Sequence, residues 1–251
     1  MAEGKSRISG KTALVTGAGK RLGRATALAL AGEGASVVVH YHSSQAEADE
    51  LAGEIRKIGP QSWVVNGNLA DPEQAEQVMG RAIGLAGPID ILVNNASIFQ
   101  EDTIMDLTAQ SLQRNVQINA MAPLQLMRSF AAQGRPGDIV NMLDARIADF
   151  DRKHMAYSLS KSLFFVITRI MAQELAPAIR VNAVGPGLIL PPEGKDESYL
   201  AGLAHTTLLK TFGHERDITE AILFLLRSEF VTGQVLFVDG GRSLKGSMYA
   251  T

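Results

Sequence analysis

Tyr157 and Lys161 lie four positions apart in a segment with helical periodicity. Side chains at positions i and i+4 of a helix project from the same face, so the phenol and the ammonium can meet in one cleft. A tyrosine with a pKa of about 10 is a poor acid near neutrality, and a neighbouring ammonium favours its phenolate. The spacing therefore predicts proton delivery by Tyr157. The alternative is a surface lysine beside a partly buried tyrosine.

A glycine-rich turn, Thr16-Gly17-Ala18-Gly19-Lys20-Arg21-Leu22-Gly23, joins the first apolar run to a helical pattern. Such a turn lets the backbone approach a pyrophosphate, whose charge is favoured by the free N–H groups at a helix N-terminus. Glycines also simply form turns, so the motif gains its weight from following the first strand of an α/β pattern. We expect a dinucleotide to bind here.

The second apolar run ends in His40-Tyr41-His42-Ser43-Ser44, with no acidic residue before Glu47. Folds that prefer NAD place an Asp or Glu here to hold the ribose 2′-hydroxyl, and a carboxylate would repel a 2′-phosphate. Donors available to a phosphate are Arg21, His42, Ser43 and Ser44. The segment therefore predicts NADPH, although Ser44 could equally be a helix N-cap in a solvated loop.

Two other predicted strands end in polar residues. Asn94-Asn95-Ala96-Ser97 closes the fourth, at the carboxyl edge where open α/β sheets bind ligands, although a single Asn there could be only a turn former. Asp144 follows the fifth, thirteen positions before Tyr157. If burial and the phenol raise its pKa, this carboxyl could pass a proton onward during reduction of a ring C=N. The alternative is that Asp144 caps a turn.

The elements that must position these residues alternate between apolar runs of strand length and helical patterns, which is typical of βαβ units and a parallel sheet. Continuously apolar strands indicate helices on both faces, so the fold class is α/β with one doubly wound, Rossmann-type, mostly parallel seven-stranded sheet. The predicted strands are Thr12–Thr16, Ser36–Tyr41, Ser62–Val65, Ile89–Val93, Asp138–Met142, Arg180–Val184 and Val235–Val238. The predicted helices are Arg21–Glu33, Gln45–Ile58, Pro72–Leu85, Thr108–Gln133, Arg152–Leu175 and Glu215–Ser228.

The composition limits the function further. The 251 residues carry a net charge of −2 and no cysteine, which argues against nucleic acid or an anionic membrane as partner and excludes thiolate metal sites and cysteine nucleophiles. Met1 to Gly10 lacks an apolar core, so we expect a cytoplasmic protein without a membrane span. We expect one domain over residues 1–251, with the long stretch Gly185–Gly213 as the substrate loop and no metal.

Together these motifs resemble the short-chain dehydrogenase/reductase family over about Gly10 to Arg242. The matching residues are Thr16-Gly17…Gly23, Asn94-Asn95-Ala96, Asn119, Tyr157…Lys161, Val184-Gly185-Pro186-Gly187 and Val238-Asp239-Gly240-Gly241. The resemblance implies that Tyr157 is the proton donor, that Lys161 holds the ribose and tunes Tyr157, and that Asn119 supports a proton-relay water. It also implies a homotetramer.

Two departures narrow the resemblance. Arg21 replaces the middle glycine of the TGxxxGxG pattern, and Asp144 replaces the catalytic serine after strand five. Both are similar to pteridine reductases and bacterial dihydromonapterin reductases, in which the residues corresponding to Phe99 and Ser97 stack the pterin and touch its polar edge. Asn68 stands where the wider family has an Asp that contacts adenine, which weakens that part of the resemblance.

The resemblance therefore implies an NADPH-dependent reductase of pterins, possessing one catalytic and two binding sets of residues. The catalytic set is Asp144, Tyr157, Lys161 and Asn119. The cofactor set is Gly17, Lys20, Arg21, Leu22, Gly23, His42, Ser43, Ser44, Asn68, Leu69, Asn95, Ala96, Ser97, Tyr157, Lys161, Pro186, Gly187 and Leu188. The substrate set is Arg21, Ser97, Phe99, Asp144, Tyr157 and Leu188. The alternatives are a generic carbonyl reductase, for example of 3-oxoacyl thioesters, and a non-catalytic NADP sensor.

Overall fold

A computed structural model describes residues 7–148 and 152–245. Seven parallel strands form one sheet in the order β3-β2-β1-β4-β5-β6-β7, as the alternating pattern predicted. The strands are β1 (Thr12–Val15), β2 (Ser36–Tyr41), β3 (Ser62–Asn66), β4 (Ile91–Asn94), β5 (Gly137–Met142), β6 (Ile179–Pro186) and β7 (Val235–Val238). Central strands such as β1 and β4 are almost wholly buried, because helices cover both faces.

Eight α-helices cover the sheet within the part of the chain that the structure describes. They are α1 (Arg21–Gly32), α2 (Gln45–Ile58), α3 (Pro72–Ala86), α4 (Ala109–Val116), α5 (Ala122–Ala131), α6 (Met155–Leu175), α7 (Glu197–Leu203) and α8 (Glu215–Arg227). The apolar faces of α1, α2 and α8 pack into one core, and those of α3, α5 and α6 pack into a second core on the opposite face of the sheet. This confirms the doubly wound architecture.

The order in which strands are added to the sheet reverses between β1 and β4. The chain builds β1, β2 and β3 outward, then returns to place β4 on the other side of β1. The crossover connections at this point leave in opposite directions, so a crevice opens at the carboxyl ends of β1 and β4. The glycine-rich turn and Asn94–Ser97, which follow these two strands, therefore face the same crevice.

One predicted helix was wrong in its continuity. Thr108–Gln133 was expected to be a single helix, but α4 and α5 are separated by a π-helical segment, Gln117–Met121. A π-helical turn closes with an i→i+5 bond and inserts an extra residue, which an apolar repeat of 3.6 does not reveal. The helix predicted over Arg152–Leu175 was also too long at its start, since α6 begins at Met155.

The predicted substrate loop contains structure of its own. Its first two residues, Gly185 and Pro186, belong to β6, and α7 lies in its middle. The side chain of Asp196 caps α7 by accepting a hydrogen bond from Ser198 N. Among the residues that the structure describes, no helix is long and apolar enough to cross a membrane. Residues 1–6, part of the polar N-terminal stretch, lie outside those residues.

Candidate active site

A cavity of about 970 Å³ lies at the carboxyl ends of the strands. Every predicted catalytic, cofactor-binding and substrate-binding residue lines it except Asn119. It is lined by residues at or just after the ends of β1, β4, β5 and β6, and by residues of the substrate loop such as Leu190 and Leu200. Predicted residues that span more than 170 positions of the sequence thus meet in one concave site.

Helix α6 carries Tyr157 and Lys161. Tyr157 and Lys161 are both buried on one face of this helix, as their spacing predicted. The N-terminus of α6 is held by Asp102, whose Oδ1 accepts a hydrogen bond from Ala156 N at 3.0 Å. The backbone of Asp102 also bonds in both directions to this region, donating to Lys153 O and accepting from Met155 N.

Lys161 is fixed by its backbone partner and by burial. Its Nζ donates to Met142 O at 2.7 Å and lies 5.7 Å from the centre of the Tyr157 ring. Burial lowers the pKa of Lys161 to about 8, and the attraction of Asp144 opposes this shift. A cation that is only 2% exposed therefore lies beside the phenol.

Asp144 meets Tyr157 directly. Tyr157 Oη donates a hydrogen bond to Asp144 Oδ2 at 2.6 Å, the short length expected when the acceptor is charged. Arg146 adds two donors: its backbone N bonds Asp144 Oδ1 at 2.8 Å and its Nη1 lies 3.2 Å from Asp144 Oδ2. Asp144 thus contacts the phenol and also caps a turn. The proton relay predicted for its carboxyl stays a prediction.

Phe99 is packed into this cluster. Its ring stacks on His154 with centroids 3.9 Å apart and an interplanar angle of 13°. It meets the edge of Tyr157 at 4.7 Å, and the Arg146 guanidinium lies 4.9 Å from its centre. The sequence predicted a flat apolar face at Phe99, but His154 already covers one face. His154 and Arg146 were missed, since nothing in their spacing marked them.

Asn119 lies behind the cavity, within the π-helical segment. Its Oδ1 accepts hydrogen bonds from Ser97 Oγ at 3.0 Å and Ile98 N at 2.9 Å. Its Nδ2 donates to Ile98 O and to Ser160 Oγ. The side chain is fully buried and engaged by protein groups. Asn119 therefore ties Ser97 to helix α6 and does not present its amide to the cavity.

The asparagines after β4 also bond to protein groups. Asn95 Nδ2 donates to Thr16 O at 2.8 Å, and Asn95 N donates to Thr16 Oγ1 at 2.9 Å. Asn94 Nδ2 donates to Asn141 Oδ1 at 2.9 Å. A Cβ on Gly23 would clash with the carbonyl oxygen of Gly17 and with the Asn95 amide. These contacts lock the glycine-rich turn against the end of β4.

Arg21 has an unusual backbone. Its φ is +53°, in the left-handed region that costs a residue with a Cβ about 1 kcal/mol. Its Nη2 donates to Pro191 O at 2.8 Å, so the guanidinium bridges the glycine-rich turn and the substrate loop. The sequence predicted contacts with cofactor and pterin for Arg21. It did not indicate this bond, which depends on the loop conformation.

His40 was missed, although it closes an apolar strand. It is 1% exposed; Gly17 N donates to its Nδ1 at 3.1 Å, and its Nε2 lies 3.1 Å from Gly67 O. Because Nδ1 accepts, the ring proton lies on Nε2 and is donated to the carbonyl. Burial lowers the pKa of His40 to about 4, so the ring is neutral at physiological pH. It positions the glycine-rich turn.

The corner predicted for the 2′-phosphate is polar and exposed. Lys20 Nζ pairs with Glu47 Oε1 at 2.7 Å, which brings the first acidic residue after β2 to its edge. Ser44 occupies the N-cap position of α2, but its side chain makes no capping bond and stays available. Asn68 Oδ1 accepts a hydrogen bond from Ala70 N, so the amide shapes the turn after β3.

Solved structures resemble this chain over nearly its whole length. FolM alternative dihydrofolate reductase 1 from Brucella canis, complexed with NADP, gives a TM-score of 0.90 at 29% identity and covers 98% of both chains. A blue fluorescent protein from a metagenomic library, in complex with NADPH, gives 0.87 at 32% identity, over 94% of this chain and 99% of that one.

Curated relatives have sugar-reductase names. L-xylulose reductase of Mesocricetus auratus is 36% identical over 93% of this chain and 97% of that protein. D-erythrulose reductase of Gallus gallus is 35% identical over 92% and 95%. The family model described as Enoyl-(Acyl carrier protein) reductase matches residues 17–243. With the fold and the Tyr157–Lys161 site, these matches show that the chain belongs to the short-chain dehydrogenase/reductase family of NAD(P)-dependent oxidoreductases.

Proposed function

We propose that this protein is an NADPH-dependent reductase that transfers a hydride to a pterin ring, converting a dihydropterin to the tetrahydropterin, and that dihydrofolate is a candidate acceptor of the same type. The observation that carries the proposal is the 2.6 Å hydrogen bond from Tyr157 Oη to Asp144 Oδ2. A carboxyl group at this place, next to the aromatic ring of Phe99, suits a planar ring whose nitrogen must gain a proton. The similarity to FolM structures supports it.

The site residues fit a phosphorylated dinucleotide. Gly17 and Gly23 keep the turn free of side chains, and the turn leads directly into α1, whose N-terminus favours a phosphate. His42, Ser43 and Ser44 line the corner after β2 together with Lys20 and Arg21, which supplies cations and hydroxyls for a 2′-phosphate. Pro186, Gly187 and Leu188 line the same cavity and would border the nicotinamide. NADPH supplies the hydride when bound.

The chain's own residues handle the proton. Reduction of a C=N bond adds the hydride to carbon and a proton to nitrogen, and Tyr157 Oη is the group placed to give that proton. Lys161 stabilises the negative charge that remains on the phenol. Asp144 holds the hydroxyl beforehand and contacts the polar edge of the ring. Asn119 acts from behind, by fixing Ser97 and α6.

Substrate recognition would use both the sheet edge and the loop. Phe99 provides the aromatic contact and Ser97 a hydrogen bond to the polar edge of the pterin. Leu188 lines the cavity and would border the ring, and the hydrogen bond from Arg21 to Pro191 O ties the substrate loop to the glycine-rich turn. A pterin stacked between Phe99 and the nicotinamide would have its ring carbon aligned for hydride transfer. The side chain of His154 must then move, or the pterin must use the free part of the Phe99 ring.

A second candidate is reduction of a ketose or another simple carbonyl. The 36% identity to L-xylulose reductase and the 35% identity to D-erythrulose reductase favour it. The same Tyr157 would protonate the carbonyl oxygen. Asp144 argues against it, because a ketone needs a hydroxyl donor where this chain has a carboxylate.

The deciding experiment measures NADPH oxidation side by side with a dihydropterin, dihydrofolate, L-xylulose, D-erythrulose and an acetoacetyl thioester. We expect the dihydropterin to have the highest kcat/KM. If dihydropterins are inert while a ketose or the thioester turns over rapidly, the pterin proposal is wrong and the carbonyl reductase replaces it. NADPH binding without turnover of any of these compounds would favour the NADP sensor.

A further inference from the structure

Arg146 contacts both Asp144 and Phe99, and neither the sequence motifs nor the proposed mechanism assigns it a role. Its backbone N and its Nη1 both reach Asp144, at 2.8 Å from Oδ1 and 3.2 Å from Oδ2. Its guanidinium also lies over the ring of Phe99. The side chain is only 19% exposed and lines the cavity. A half-buried cation is thus held at the carboxylate that contacts the proton donor.

Asp144 Oδ2 receives two hydrogen bonds, one from Tyr157 Oη and one from Arg146 Nη1. Oδ1 receives a third, from the backbone. Because all three groups donate, Asp144 serves as an acceptor in this arrangement. Its carboxyl is therefore poised to orient the phenol rather than to supply a proton.

This arrangement creates an electrostatic problem during turnover. When Tyr157 gives its proton to the substrate, a phenolate is left beside a carboxylate, and two like charges at hydrogen-bond distance strongly disfavour each other. The cations that face this pair come from two elements: Lys161 from α6 and Arg146 from the segment after β5. His154 and Lys153 also border the cavity near the start of α6. Among the residues that the structure describes, Arg146 is the cation that contacts Asp144 directly.

We propose that Arg146 is a positioning residue that keeps Asp144 oriented and charge-compensated, so that Tyr157 can lose its proton beside a carboxylate. Arg146 acts through Asp144 and does not itself exchange a proton. The proposal rests on the proposed reductase function for its kinetic consequence, but its electrostatic consequence can be measured without any substrate.

The first test follows the ionisation of Tyr157 by phenolate absorbance in the complete protein. The chain has 4 tyrosines, so the titration of Tyr157→Phe is subtracted to isolate Tyr157. In Arg146→Leu the Tyr157 phenolate should form about one pH unit higher than in the parent, because one stabilising cation is lost. Arg146→Lys should restore the parent titration. An unchanged titration in Arg146→Leu overturns the proposal, whichever compound proves to be the substrate.

The second test measures steady-state kinetics with the best acceptor. Arg146→Leu should lower kcat by about tenfold with the KM for NADPH unchanged, since the loss falls on the proton-transfer step. Arg146→Lys should recover most of kcat. Arg135→Leu is the matched control, because Arg135 pairs with Asp90 at the opposite end of the strands. Thermal unfolding of all variants shows whether the fold is kept, and Arg146→Gln replaces the leucine variant if it is not. Equal kcat values for Arg146→Leu and the parent contradict the proposal.

Discussion

Tyr157 Oη donates its hydrogen bond to Asp144 Oδ2, at 2.6 Å, across the boundary between α6 and the end of β5. The two residues are thirteen positions apart, and they meet because α6 turns back across the carboxyl end of the sheet. A serine at position 144 would offer a hydroxyl to a carbonyl oxygen, whereas the carboxylate offers only acceptors. This difference governs the substrate predictions.

Asp144→Ser should exchange one substrate class for another. We expect dihydropterin reduction to fall by about a hundredfold, since the carboxylate that orients the Tyr157 hydroxyl is lost. Reduction of ketoses should persist or rise, because a hydroxyl donor now faces the carbonyl. Steady-state kcat/KM with a dihydropterin and with L-xylulose measures both. A parallel loss for both substrates would show that Asp144 supports the fold instead.

Tyr157→Phe removes the proposed proton donor together with its hydrogen bond to Asp144. Turnover should be abolished for every acceptor, while NADPH binding and thermal unfolding stay close to those of the parent. Fluorescence titration with NADPH and a melting curve check the two unchanged properties. Full activity in this variant would refute the assignment of Tyr157.

Arg21 offers a comparison that separates its side chain from its backbone. Arg21→Gly and Arg21→Ala both remove the guanidinium, so both should weaken NADPH binding by about tenfold and narrow its advantage over NADH. Only glycine adopts a φ of +53° without strain. Arg21→Gly should therefore be more stable than Arg21→Ala by about 1 kcal/mol in chemical denaturation. Equal NADPH and NADH affinities in the parent would contradict the cofactor preference.

His40 should make stability depend on acid pH. In the unfolded chain it gains a proton below its ordinary value of 6.5, but in the folded protein it stays neutral down to about 4. The unfolded state therefore binds more protons in this window, and stability falls as the pH drops from 6.5 toward 4 by about 3 kcal/mol from this residue. Between pH 6.5 and 4 the parent should lose more unfolding free energy than His40→Gln by about 3 kcal/mol, as measured by chemical denaturation. Parallel curves would refute the prediction.

The outer face of α6 should form a subunit interface, as expected for a homotetramer. Leu159, Leu163, Val166 and Ile170 follow the helical repeat on one face and are 38–51% exposed. Leu163→Glu combined with Val166→Glu should yield smaller assemblies in light scattering, because charges would be buried at a two-fold contact. Ile58→Glu, a half-exposed residue on α2, is the control. A monomeric parent at micromolar concentration would refute the tetramer.

The sequence predicted the sheet well because its signal is local. Continuous apolar runs are visible in β1 and β2, and such runs are typical of strands that helices cover on both faces of a sheet. The π-helical segment Gln117–Met121 was not visible, because an inserted residue disturbs the repeat only slightly. On α6 only the structure shows that Phe164 is buried and Leu163 exposed.

The sequence predicted which residues line the site better than it predicted the contacts between them. The Tyr157–Lys161 pair follows from helix geometry, and its encounter with Asp144 follows from strand order. The stacking of His154 on Phe99 and the bond from Arg21 to Pro191 depend on loop conformations that periodicity does not encode. Asn119 was predicted from its motif, but its amide bonds backbone and side-chain groups behind the cavity.

The contacts of Asp102 have a consequence for redesign of this protein. Asp102 lies three residues after Phe99, and its side chain and backbone hold the first turn of the helix that carries Tyr157. These contacts fix the loop that carries Phe99 relative to the helix that carries Tyr157, although the two residues are far apart in the sequence. A graft that imports a different loop after β4 to alter the acceptor must carry the Asp102 contacts with it. Without these contacts, the aromatic ring of the grafted loop will not be aligned with the Tyr157 hydroxyl.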